Sequence, residues 1–189
     1  MKKNLLTFLS FIMLSSFMYS QCVPNTSFTG VLGLDAEAYE FVSETGDSLT
    51  ALPHATVGDA YETFFNMRIP TDTVIEYDLT GDGNPQLFDP VYISTIGINE
   101  IQGLPMGFSY ECASQSADGT ISENNCIFPG GTYACAEIFS TVDPTSADVG
   151  YYPLIMTTST LAINVPLIGS ITQLDTVDYF YIDISNTSS

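Results

Sequence analysis

The chain has 189 residues, of which 22 are acidic and only 3 are lysine or arginine, with four cysteines and no tryptophan. A surface this acidic repels nucleic acid and anionic lipid, which excludes both as partners. Its net charge argues for solubility in a salty exterior more than for any particular site.

The first residues, Met1-Lys2-Lys3, lead into an apolar run from Leu5 to Met18 and then Tyr19-Ser20-Gln21. A basic start, a short apolar stretch and small polar residues beyond it describe a secretory signal peptide over residues 1–20, with cleavage expected after Ser20. The run is shorter than the roughly 20 apolar residues a membrane-spanning helix needs. Leu154 to Ile171 does not qualify as a span either, being broken by Asn164 and Pro166. Gln21 precedes Cys22 where lipoprotein processing wants a small residue, so lipidation is not expected. Removal of residues 1–20 leaves Arg68 as the only lysine or arginine against all 22 acids. Residues 21–189 suit one domain, with 185–189 as a linker or truncated end. The expected location is secreted or on the outer cell surface.

All four cysteines, Cys22, Cys112, Cys126 and Cys135, survive that cleavage, and an even number in an exported chain reads as two disulfides. Their wide spacing, with only His54 to help, argues against zinc. Three pairings are open. Cys112 with Cys126 and Cys22 with Cys135 is the favoured one, because it closes a local loop and ties down the N-terminus.

No stretch sustains helical periodicity, whereas alternation is common. In Tyr61 to Ile69, the side chains of Tyr61, Phe65, Met67 and Ile69 share one face and Glu62, Asn66 and Arg68 the other, which predicts a half-buried strand. Further strands are predicted at Thr73 to Tyr77, Val91 to Ile101, Gly107 to Cys112, Tyr133 to Phe139, Tyr151 to Thr157, Leu161 to Ile168 and Val177 to Ile184. Turn clusters such as Gly81-Asp82-Gly83-Asn84-Pro85 and Pro129-Gly130-Gly131 separate them. About eight short strands make an all-β, immunoglobulin-like β-sandwich the leading fold, with a lipocalin-like barrel as the alternative. Asp148-Val149-Gly150-Tyr151-Tyr152 has the form of a tyrosine corner, in which Tyr152 returns a hydrogen bond to upstream backbone. Asp148 and Gly150 shape the turn ahead of it.

Gly103-Leu104-Pro105-Met106-Gly107-Phe108-Ser109-Tyr110 with Cys112, then Cys126-Ile127-Phe128-Pro129-Gly130-Gly131, Cys135 and Gly150-Tyr151-Tyr152-Pro153-Leu154 form the most recognisable stretch. It resembles an immunoglobulin-like domain of secreted Bacteroidetes proteins that carry the type IX sorting signal, with its GLPxGFxYxC strand, CxFPGG turn and GxYPL strand. The resemblance implies an exported, non-enzymatic module on or near the cell surface, accessory, adhesive or structural in role. Two departures stand out. The segment between Cys112 and Cys126 is longer than in that family. The sorting domain that normally follows is absent from a chain ending Asn186-Thr187-Ser188-Ser189, so a fragment or another export route is expected.

Among constellations that could carry chemistry, the best spaced begins at Asp78. Oxygen ligands at Asp78, Thr80, Asp82, Asn84, Gln86 and Asp89, with Gly83 at the bend, match the spacing of an EF-hand-type calcium loop. Threonine in place of an acid, aspartate in place of the terminal glutamate, Pro85 and strand-like flanks count against it. A calcium-stabilised carbohydrate-binding module is therefore carried as an alternative function, with calcium as its only cofactor. Carboxylate sets such as Asp35, Glu37 and Glu40, or Asp175 and Asp178, raise a glycoside hydrolase as a further alternative, with little specificity in so acidic a chain. Nucleophilic catalysis lacks support because His54, the sole histidine, stands in a loop leading into a strand. No enzymatic activity is expected. The expected partner is a protein or glycan at the cell exterior. Tyr151, Tyr179 and Tyr181 are the aromatics that alternation places on an outer face.

Overall fold

A computed structural model describes residues 22–28, 32–34, 39–42, 48–123 and 126–186. The expected signal peptide over residues 1–20, together with Asp35 and Glu37, lies outside the described residues. Within them the chain is all β and contains no helix. In chain order the strands are β1 (Leu32–Leu34), β2 (Tyr39–Val42), β3 (Ser48–Ala51), β4 (Ala55–Thr56), β5 (Glu62–Arg68), β6 (Asp72–Tyr77), β7 (Gln86–Gln102), β8 (Phe108–Gln115), β9 (Ile121–Glu123), β10 (Ile127–Pro129), β11 (Tyr133–Ser140), β12 (Gly150–Val165) and β13 (Gly169–Ser185). The smaller sheet runs β1-β5-β11-β8-β9, and the larger runs β10-β7-β12-β13-β3-β2, with β6 on β7 and β4 on β13.

Alternating apolar residues bring the two sheets face to face. From the smaller sheet, Phe65, Met67, Ala136 and Ile138 turn inward, and from the larger sheet Ile98, Leu154, Met156, Phe180 and Ile182 meet them in one buried cluster. Phe65 and Phe180 cross the interface edge to face, with ring centroids 5.2 Å apart, a geometry that adds to simple burial. Phe128 of β10 is fully buried in the same core. The barrel alternative is replaced by a sandwich of two separate sheets.

Cys112 of β8 bonds to Cys126, just ahead of β10, so this disulfide joins the two sheets from within the core. Cys22 bonds to Cys135 of β11. There it packs with Ala113 and Phe64, holding the segment that begins at Cys22 against the outer face of the smaller sheet. That segment also explains Asn66, which alternation places on the solvent side. Its carboxamide oxygen accepts the Asn25 N–H at 3.2 Å, and the residue is only 1% exposed.

The strand expectations hold for β5, β6, β8 and β11 to within a few residues, and the runs at Val91 to Ile101 and Val177 to Ile184 fall inside β7 and β13. The runs at Tyr151 to Thr157 and Leu161 to Ile168 are not two strands. They lie on β12 up to Val165, with Pro166, Leu167 and Ile168 in the turn beyond it, and β12 pairs with β13 from Gly150↔Ile184 to Val165↔Gly169. The hairpin turns through Asn164 and Leu167, both at positive φ, and Gly169. With 17 residues in β7, 16 in β12 and 17 in β13, the larger sheet spans roughly 50 Å at about 3.3 Å per residue. It outruns its partner sheet and closes its far end with a second cluster of Ile75, Phe88, Val91, Ala162, Val165 and Ile171. Thirteen strands are present among the described residues rather than eight.

Two local devices fix the connections. Gly130 must be glycine, since a Cβ there would collide with the Ile93 carbonyl oxygen; its N–H donates to the Ser94 carbonyl. The tyrosine corner is formed: Tyr152 O–H donates to the Asp148 carbonyl oxygen at 2.8 Å. The Asp148 carboxylate in turn accepts from the N–H and the hydroxyl of Thr145.

Tyr152→Phe is expected to lower unfolding free energy by about 1–2 kcal/mol, read from denaturant titration, because the Asp148 carbonyl loses its partner while the ring still packs. Replacing Cys112 and Cys126 together by alanine is expected to cost about 2–4 kcal/mol in the same measurement.

Candidate functional site on the outer face of the larger sheet

On β13 the side chains of Phe180, Ile182 and Ile184 enter the core, so Tyr179, Tyr181, Asp183 and Ser185 point outward. On β12, Leu154 and Met156 enter the core, and Tyr151, Pro153 and Ile155 point outward. Register sets Tyr151 opposite Asp183 and Pro153 opposite Tyr181. Tyr151, Ile155 and Tyr179 are 45%, 42% and 41% exposed. The Tyr151 and Tyr181 rings lie 4.7 Å apart at 41°. Desolvation pushes both phenols above their ordinary range, and Tyr181 is pushed further by neighbouring Tyr151 and Asp183. The expected outer-face tyrosines thus share one strip on paired strands, with Tyr151 and Tyr181 in ring contact and Tyr179 packed on Phe180.

His54 borders this strip. It precedes β4, which runs parallel to the end of β13 with Ala55 beside Ile184. Its Nε2 lies 2.7 Å from Ser185 Oγ, and its Nδ1 lies 3.3 Å from Asp183 Oδ2. With a proton on Nδ1, Nε2 accepts the Ser185 hydroxyl proton; with a proton on Nε2, that nitrogen donates to Ser185 Oγ instead. The position of His54 in a loop leading into a strand gave no sign of these partners, both of which are remote in the chain. Alternation on β13, which places residues 183 and 185 on one face, was the available signal.

The Asp78 turn connects β6 to β7. Asp78 Oδ1 accepts from the N–H groups of Thr80 and Gly81, and its Oδ2 from Gly83 N–H at 2.7 Å. Asp82 Oδ1 accepts from Asn84 N–H at 2.9 Å. These backbone donors hold both carboxyls below the ordinary aspartate value, led by Gly83 for Asp78 and by Asn84 for Asp82. Asp78, Thr80, Asp82 and Asn84 therefore share one exposed turn. Gln86 and Asp89 lie on β7, which starts at Gln86 opposite Tyr77. Among the described residues no group of three or more His, Cys, Asp or Glu is arranged to hold a metal ion.

The carboxylates considered for hydrolysis are also dispersed. Glu40 is on β2. Asp175 and Asp178 are three residues apart on β13. Asp175 borders a cavity of about 250 Å³ between β6 and the β12–β13 hairpin, where Thr158, Thr160 and Gln173 are the other polar neighbours on that hairpin. The carboxylates that do meet are Glu137 of β11 and Glu111, directly opposite it on β8. Glu137 is 2% exposed, and neither its Oε2 nor Glu111 Oε1 has a hydrogen-bond partner. Burial, reinforced by the charges of Glu62 and Glu111, pushes the Glu137 carboxyl up to about 7. Because the folded state holds this proton more tightly than the unfolded chain, the fold is favoured in acid and loses that contribution as pH climbs from the ordinary carboxylate range through about 7. Glu137→Gln is therefore expected to raise the melting temperature above that pH and to leave it nearly unchanged in acid, checked by thermal melts across the range.

No family model and no curated protein matches the chain. Among solved structures it is similar to AggA, the major subunit of aggregative adherence fimbriae type I from Escherichia coli, at 12% identity and a TM-score of 0.34, over 84% of this chain and 98% of that one. A second similarity is to a family 123 glycoside hydrolase from Clostridium perfringens, at 12% identity and a TM-score of 0.30, over 73% of this chain and 23% of that one.

Proposed function

We propose that this chain is an exported module that works by adhesion through the outer face of its larger sheet, taking a protein or glycan at the cell exterior as partner. The observation that carries this reading is the strip of Tyr151, Pro153, Ile155, Tyr179 and Tyr181. Aromatic side chains held on paired strands give large contact area at little conformational cost, and tyrosine is enriched where interfaces carry their energy. Two disulfides support action in an oxidising compartment. The scarcity of basic side chains favours a neutral or basic partner. The likeness of residues 101–154 to immunoglobulin-like domains of secreted Bacteroidetes proteins supports a place at the outer surface.

The purified domain is expected to be retained on a glycan array or on immobilised surface proteins. The Tyr151→Ala, Tyr181→Ala double variant should lower affinity about tenfold or more, since two central aromatics of an interface each contribute on the order of 1 kcal/mol or above. Retention that the double variant leaves unchanged would locate the binding face elsewhere.

A further inference from the structure

The adhesive reading leaves the Asp183, His54 and Ser185 chain unused, and nothing in that reading depends on it. Three features set it apart from an incidental surface contact. The order of atoms is carboxylate, Nδ1, Nε2, hydroxyl, with Asp183 Oδ2 3.3 Å from Nδ1 and Ser185 Oγ 2.7 Å from Nε2. In the tautomer protonated at Nδ1, Nε2 is the acceptor for the serine proton, the arrangement that activates a hydroxyl nucleophile. The imidazole side chain is mostly buried at 17% exposure, the Asp183 side chain is open at 52%, and Ser185 is half-buried.

The geometry points to Ser185 as an activated nucleophile that accepts acyl groups from carboxylic esters, with His54 as general base and Asp183 as the positioning residue for the imidazole. Ser185 Oγ bonds to the ester carbonyl carbon as its proton passes to His54 Nε2. The carbon–oxygen bond to the alcohol then breaks, and the departing alkoxide oxygen takes that proton. Water repeats the sequence on the acyl-serine: it gives a proton to Nε2, its oxygen joins the acyl carbon, and the Ser185 Oγ–acyl bond breaks with Oγ regaining the proton. The products are an acid and an alcohol, and no further reactant is required. The Tyr151 and Tyr181 rings, one opposite Asp183 and one two residues before it, offer an apolar platform for an acyl or aryl group. The acidic surface disfavours anionic esters, which leaves neutral esters as the substrate class.

The test is covalent labelling of the folded domain with a fluorophosphonate probe, in which an Oγ–phosphorus bond replaces the phosphorus–fluorine bond. Peptide mass spectrometry is expected to find the adduct on Ser185 in the folded chain and not after unfolding in urea. His54→Gln should slow labelling by about 10²-fold or more, the scale of general-base assistance. Asp183→Asn keeps a side chain of the same shape and should slow it as well, which guards against a folding defect in the His54 variant. Circular dichroism melts accompany both variants. No adduct on Ser185 of the folded protein, or an equal rate in a folded His54→Gln variant, would overturn the proposal and reduce the three residues to a clasp between β4 and β13.

Discussion

The packing of the inner faces of the two sheets governs everything else in this molecule. A strand that buries one face must expose the other, so fixing Phe180, Ile182 and Ile184 in the core also fixes Tyr179, Tyr181, Asp183 and Ser185 outside it. The same constraint on β12 exposes Tyr151 once Leu154 and Met156 are committed inward. The candidate site is thus the reverse side of the core. A one-residue slip of β13 would turn the tyrosines inward and dissolve both the aromatic strip and the histidine contacts.

The inter-sheet disulfide and the tyrosine corner act on this constraint from opposite ends. Cys112 and Cys126 hold the sheets together within the core, and Tyr152 sets how the chain enters β12 by bonding back to Asp148. Because β12 pairs with both β7 and β13, its entry point determines the register of the three longest strands at once. The bulges in its pairing with each neighbour let these long strands keep pace despite their twist.

Much of this architecture can be read from local sequence, and the exceptions share a cause. Alternation in Tyr61 to Ile69 identifies β5 and its buried face, because each residue's environment is set by its own strand. The tyrosine corner is legible for the same reason, its donor and acceptor being four residues apart. Asn66 misleads, since what covers it is a segment fixed by a distant cysteine. The β12–β13 hairpin is missed because Thr157, Thr158, Ser159 and Thr160 interrupt the apolar pattern where the sheet overhangs its partner, and because Asn164 and Leu167 turn the chain without the usual glycine pair. Within the calcium spacing, strand pairing to β6 begins at Gln86, which a count of ligand positions does not reveal. His54 with Ser185, and Glu137 with Glu111, are invisible from spacing, since parallel pairing to β13 and antiparallel register between β8 and β11 bring them together.

The bond from Cys22 to Cys135 also decides how the domain carries load. A pull applied at Cys22 passes through sulfur into β11, which lies in the middle of the smaller sheet between β5 and β8. It therefore bypasses β1, the edge strand that a force following the main chain would peel away first. Two full ladders of hydrogen bonds, to β5 and to β8, receive that force together.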